Sequence, residues 1–297
     1  MNRFDLTLPV NNDGVLGMDP VEARATGAML AQEYQSAQPF PHIVLDGLLP
    51  QALLQQALDN FPAEPLKSDR VFDIDYGGHH KRQILPYDCN QDAQALFAFL
   101  NSSPVLQFLE GLTGIEGLIP DPYFEGGGFH EISHGGLLGV HADFRINNKL
   151  HLERRLNLLI YLNPGWQEEW GGALEIWDRK MTACHSKVFP LLNRCVVFST
   201  DADSFHGHPD PLATPEGVKR RSIALYYYTS SRNIYKEVPS HSTMYYARPE
   251  DSSSTHALAR RFRSDEYLRD WMPPKLARLI FRVRDKLQSI FSTDRSS

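Results

Sequence analysis

Cysteine is scarce in this sequence: three in 297 residues, Cys89, Cys184 and Cys195, odd in number and far apart. That pattern excludes a disulfide framework and a paired-cysteine metal knuckle, and it fits a reducing compartment. No run approaches the ~18 apolar residues that a membrane span needs. The opening MNRFDLTLPVNNDGV lacks the apolar segment of a secretory leader, so a cytoplasmic location is expected. Positive charge is also in deficit. Thirty Lys and Arg against 36 Asp and Glu give a net charge of −6, which argues against nucleic-acid binding. The GGG run at 126–128 has no strand–GxGxxG–helix setting, and Ser204 has no G-x-S-x-G elbow. A nucleotide loop and a serine hydrolase are therefore not indicated. No internal repeat or low-complexity segment is visible.

What is present is ordinary globular material, with 42% hydrophobic and 22% charged residues. The length suffices for one large domain or two small ones. VEARATGAMLAQEYQ (21–35) and LPQALLQQALDNFP (49–62) carry apolar residues at helical spacing, and QDAQALFAFLNSSPVLQFLEGLTG (91–114) reads as two helices broken at SSP. PFPHIVLDGLLP (39–50) reads as a strand closed by a turn. From about 118 to 230 the texture becomes short β-type runs: GGLLGVHADF, RLNLLIYLN, GGALEIWD, NRCVVFST and RRSIALYYYT. Such spacing without helical patterns between predicts an antiparallel sandwich or barrel.

Within that region GVHADFRINN (139–148) sets His141 and Asp143 two apart, hence on one face of a strand. A buried strand rarely spends two ionisable groups on one face. Further partners must come from elsewhere, and FSTDADSFHGHPDPL (198–212) offers His206 and His208. Two imidazoles and a carboxylate, with open positions left over, form the donor set of non-haem Fe(II) oxygenases. KRRSIALYYYT (219–229) then begins a strand with arginines, whose planar fork suits a dicarboxylate. Trp166, Trp170 and Trp177 read as packing and turn residues, and His130 and His134 as loop or pocket-side hydrogen bonders.

Four segments together resemble the Fe(II)- and 2-oxoglutarate-dependent dioxygenases, specifically the prolyl 4-hydroxylase-like branch. They are GGGFHEISHGGLLGVHADF (126–144), RRLNLLIYLNPGWQEEWGGALEIWD (154–178), NRCVVFSTDADSFHGHPDPL (193–212) and GVKRRSIALYYYT (217–229). The resemblance implies a double-stranded β-helix, or jelly roll, in an α+β chain. It implies His141, Asp143 and His206 as iron ligands, with His208 as the alternative distal ligand. It implies Arg220 for the far carboxylate of 2-oxoglutarate. In that register Arg220, Ser222, Ala224 and Tyr226 face inward, and a one-residue slip would select Arg221 instead. Tyr161, with Asn157 on the same face, is the further candidate cosubstrate contact. The implied reaction uses Fe(II), 2-oxoglutarate and O2, allows for ascorbate, and releases succinate and CO2. A carboxylate at 143, where related halogenases have a small residue, favours hydroxylation. The branch acts on amino acids, peptidyl proline and carbohydrate or lipid-linked intermediates. The competing reading is a non-catalytic jelly-roll module that binds a ligand or metal.

The expected organisation is a helix-rich support at 1–117, the β-helix core at 118–230, and a connector with a basic helical end at 231–297. Residues 257–286 hold nine Arg and Lys against four Asp and Glu. In PPKLARLIFRVRDKLQSIF (273–291), Leu276, Ile280, Val283, Leu287 and Ile290 make an apolar stripe, with Lys275, Arg278, Arg282 and Lys286 largely off it. Such a helix either docks on the domain or rests on an anionic membrane at its inner face.

Overall fold

The computed structural model describes residues 3–10, 17–231, 241–271 and 276. Five helices precede the β core: α1 (Pro20–Met29), α2 (Ala31–Ser36), α3 (Gln51–Asp59), α4 (Gln91–Leu100) and α5 (Ser103–Thr113). Their ends are written locally. Asp19 caps α1 by accepting from the amides of Val21 and Glu22, and Asn90 caps α4 through Ala93. α5 opens on Ser103 and Pro104 and stops at left-handed Gly114, φ +72°. Beyond the β core, α6 (Ser253–Trp271) packs Phe262 against Tyr245.

The strands are β1 (Arg3–Asp5), β2 (His42–Asp46), β3 (Arg70–Phe72), β4 (His79–Ile84), β5 (Ile119–Pro120), β6 (Gly128–Ala142) and β7 (Ile146–Asn147). There follow β8 (Leu152–Tyr161), β9 (Leu174–Trp177), β10 (Cys184–Val188), β11 (Arg194–Ser199), β12 (His206–His208), β13 (Arg220–Thr229) and β14 (Met244–Tyr245). They run in the order β1-β2-β11-β8-β13-β6-β12-β9-β10, and among the described residues only β1 and β2 pair in parallel. β6 belongs to both halves of this roll. Its start, Gly128–Ile132, pairs with β13 and β4, and its end pairs with β12 and β14. Between them the strand stays continuous but irregular, with Gly135 at φ +74° and a slip in the β4 ladder. The result is the expected jelly roll with helices against one side.

Strand alternation divides the core. Leu156, Leu158 and Ile160 of β8, with Ile223, Leu225 and Tyr227 of β13, face the helices and join Leu96, Phe97 and Phe108 in the main apolar cluster. Asn157, Leu159 and Tyr161, with Arg220, Ser222 and Tyr226, face the cavity inside the roll. Both faces of these strands are covered, which is why they read as nearly continuous apolar runs. Truncating Leu158 to Ala leaves a void there and costs roughly 2–5 kcal/mol, measurable as a lower urea midpoint.

The three cysteines are free thiols. No helix among the described residues is long and apolar enough to cross a membrane. Apart from Leu276, the expected basic helix at 273–291 lies outside the described residues.

Candidate active site

His141 is the next-to-last residue of the long strand β6, and His206 begins β12 directly opposite it in the ladder. Their rings lie 4.5 Å apart. Asp143 follows just after β6, its Oδ1 3.6 Å from His141 Nε2 and its Oδ2 3.5 Å from His206 Nε2. One ligand atom from each of the three falls within 4.8 Å of the others, and all three residues are buried. The close approach of β12 to β6 requires Gly207: a Cβ there would stand 2.7 Å from the carbonyl oxygen of Gly139.

Each imidazole is oriented by the backbone. His141 Nδ1 lies 2.8 Å from the Gly139 carbonyl, and His206 Nδ1 lies 2.9 Å from that of Ser204. Donation from Nδ1 leaves Nε2 with a free lone pair, the arrangement that metal-bound histidines adopt. Burial, with repulsion from His141, lowers His206 to about 4. Burial opposes ionisation of Asp143, but Arg154 and the two histidines outweigh it and hold the carboxyl well below its ordinary range. Two neutral-capable imidazoles and one carboxylate on converging vectors fit a divalent iron ion.

Arg154 was not foreseen. Its side chain is almost completely buried, with Nη2 3.0 Å from Asp143 Oδ2 and the guanidinium 3.5 Å from the centre of the Tyr226 ring. Asn157 bridges the pair, donating to Asp143 Oδ2 at 2.8 Å and accepting from Arg154 at 2.7 and 2.9 Å. Both polar ends of Asn157 are thus committed beside the carboxylate. Simple alternation would turn Arg154 away from Asn157. The ladder slips by one residue between Tyr227 and Tyr228, however, so Arg155 becomes the extra residue and Arg154 returns to the inner face.

On another wall of the cavity Arg220 is buried, its Nε donating to the Gly172 carbonyl at 2.8 Å and its Nη2 3.4 Å from the Tyr161 hydroxyl. Burial lowers its pKa, and no carboxylate among the described residues compensates it. Gly172 has φ +69°, and a Cβ there would stand 2.6 Å from Leu212 and 3.1 Å from Arg220 Cδ, so glycine seats the guanidinium. Arg221 points the other way and donates to Glu131 at 2.9 Å, alongside Lys219. His208 borders the cavity with both ring nitrogens lacking a protein partner. Burial, together with Arg220, keeps it well below the usual imidazole range.

The remaining candidates sort themselves by contact. His130 lines the cavity and bonds the Gly126 carbonyl, whereas His134 is exposed and bonds that of Thr214. Trp166 and Trp177 sit in small apolar clusters, and Trp170 packs edge-on against Trp166. Ser204 closes a turn on Asp201.

The sequence matches the family model described as the 2OG-Fe(II) oxygenase superfamily over residues 127–228. No curated protein sequence matches the chain. Among solved structures it is similar to a prolyl hydroxylase from Trichoplax adhaerens in complex with a hypoxia inducible factor peptide fragment, at 17% identity and TM-score 0.48, covering 70% of this chain and 91% of that one. A prolyl-4-hydroxylase from Pseudomonas putida gives 18% identity and TM-score 0.49, with 69% and 100% covered. HygX from Streptomyces hygroscopicus, with nickel, 2-oxoglutarate and hygromycin B bound, gives 14% and 0.43, with 64% and 84% covered. The matched segment 127–228 contains His141, Asp143, His206 and Arg220. Over that segment, about a third of its length, the chain is similar to the 2OG-Fe(II) oxygenase superfamily.

Proposed function

We propose that this oxygenase is a hydroxylase of the prolyl 4-hydroxylase-like branch, with iron held by His141, Asp143 and His206. The observation that carries the reading is a pairing across one cavity. Three converging ligand atoms share it with a buried guanidinium, Arg220, that has no carboxylate of its own. Iron(II), when bound, supplies the O2 chemistry that couples conversion of 2-oxoglutarate to succinate and CO2 with substrate hydroxylation.

The chain's own residues prepare that chemistry. Arg154 and Asn157 both contact Asp143 Oδ2, which leaves Oδ1 free for the metal. Arg220 takes the far carboxylate of 2-oxoglutarate in a charge-assisted pair, with the Tyr161 hydroxyl beside it. Apolar Leu159 and Leu174 on the cavity wall keep water from the reacting groups. The substrate is an amino acid, a peptidyl proline or a carbohydrate or lipid-linked intermediate. A basic membrane contact through 273–291, at the cytoplasmic face, rests on sequence alone. Loss of sedimentation with anionic liposomes on deleting 272–297 tests it, and full-length protein that never sediments contradicts it.

The test of the proposed activity is succinate formation from 2-oxoglutarate. It should require both Fe(II) and O2 and should disappear in His141→Ala, Asp143→Ala and His206→Ala. A protein that binds metal but never forms succinate with any of these substrate classes is a binding module instead.

A further inference from the structure

Three cations face the cavity: Lys81, Arg154 and Arg220. Arg154 is matched by Asp143. Arg220, in the function proposed above, is matched by 2-oxoglutarate. Lys81 is left over. Among the described residues its ammonium makes no hydrogen bond or ion pair; the Phe72 ring lies 5.3 Å from Nζ, and Asp143 acts on it only at a distance.

The backbone explains why it points there. β4 lies between β3 and β6, with Lys81 opposite Phe72 on one side and Ile132 on the other. Alternation sends Lys81 and Gln83 into the cavity and Arg82 outward, where it pairs with Asp69 at 2.7 Å. A lysine ordinarily carries its ammonium to water along an apolar stem. Here the half-buried side chain enters a space walled by Phe72, Ile74, Ile132 and Leu138. Burial and the neighbouring arginines lower its pKa to about 8, so the charge persists at neutral pH.

Several other polar groups along this wall are already engaged, and His208, whose ring nitrogens have no protein partner, is held uncharged by burial and supplies no anion. Gln83 donates to the carbonyls of Phe124 and Gly127, His130 bonds that of Gly126, and Tyr226 and Tyr245 donate to those of Gly126 and Gly77. With iron and 2-oxoglutarate in place, Lys81 would still lack an anion. An ammonium drawn out of water without a partner is costly, so the structure carries it toward something that arrives.

We propose that Lys81 anchors a carboxylate or phosphate of the substrate, so that this oxygenase acts on an anionic molecule. The inference rests on the function proposed above. A lysine serves either anion, because it acts as a compact charge with no fixed fork. A neutral target, such as an internal prolyl residue or an uncharged glycan, would leave Lys81 unpaired.

The test uses the full-length protein loaded anaerobically with Fe(II) and 2-oxoglutarate. One arm compares amino acids and short peptides with their C-terminal amides; the other compares sugar and nucleoside monophosphates with their unphosphorylated forms. Binding is read by calorimetry and by perturbation of the visible iron–2-oxoglutarate band, and turnover by succinate. At least one anion should bind at least about tenfold more tightly than its neutral counterpart. Lys81→Met should erase that difference without raising KM for 2-oxoglutarate, and Lys81→Arg should keep part of it. The arm that responds identifies the anion. Three results overturn the proposal. They are neutral compounds binding as well as their anions, neither arm binding to a protein that forms the band, and Lys81→Met raising KM for 2-oxoglutarate, which would assign Lys81 to the cosubstrate. A wild-type protein that forms no band overturns the proposed function itself, and this inference with it.

Discussion

Arg154 and Asp143 form a buried ion pair, with Nη2 3.0 Å from Oδ2. The contact exists only because a one-residue slip in the β8–β13 ladder turns Arg154 into the roll. Arg154→Met should therefore leave Asp143 buried without its cation. Loss of such a supporting partner typically weakens metal binding by about 10–100-fold. Anaerobic Fe(II) titration measures it, and an unchanged affinity would mean that Asn157 alone positions the carboxylate.

The distal ligand separates two histidines of one short strand. His206 Nε2 converges on Asp143, whereas His208 is not among the residues whose ligand atoms cluster. His206→Ala should abolish Fe(II) binding, and His208→Ala should retain it. The opposite pattern would make His208 the ligand.

Arg220→Ala should raise the apparent KM for 2-oxoglutarate about 30-fold or more, since truncating one side of a buried charge pair costs about 2–5 kcal/mol. Arg221→Ala should leave that KM alone, because Arg221 is occupied by Glu131 on the outer face. Equal, small effects in steady-state kinetics would show that neither arginine holds the cosubstrate.

Much of this site could be read from residue order. His141 and Asp143 share a parity, whereas Arg220 was favoured over Arg221 only through the register of the resembling family, which a one-residue slip would reverse. The helices at 20–36, 51–59 and 91–113 follow from spacing and caps. Arg154 escaped notice because its parity is wrong until the ladder slips, and a bulge leaves no signature in RRLN. β4 was missed because HHKRQI has the polarity of a loop. Its strand character comes from pairing with β3 and β6, a long-range effect. Lys81 was missed along with it. β12 has three residues and β14 two, too short for any periodicity.

Acidity should destabilise the metal-free protein in a defined window. Burial, reinforced by repulsion from His141, lowers His206 to about 4, and burial likewise lowers His42, His130 and His208. In the unfolded chain these imidazoles take up protons near their ordinary pKa of 6.5. Between about pH 6.5 and about pH 4 the unfolded state therefore binds more protons, and stability falls as pH is lowered. The His206 shift alone makes the full loss on the order of a few kcal/mol. Tm measured by calorimetry across this window should drop steadily, while staying nearly level above it. A flat Tm down to about pH 5 would contradict the buried neutral state of these histidines.

The most direct measurement is the visible spectrum of the anaerobic protein as Fe(II) and then 2-oxoglutarate are added. A facial His141–Asp143–His206 site with Arg220 across the cavity predicts a charge-transfer band. The band should saturate at one iron per chain, vanish in His206→Ala, and need far more 2-oxoglutarate in Arg220→Ala. A wild-type protein that shows no band, or one whose band survives His206→Ala unchanged, would contradict the site described here.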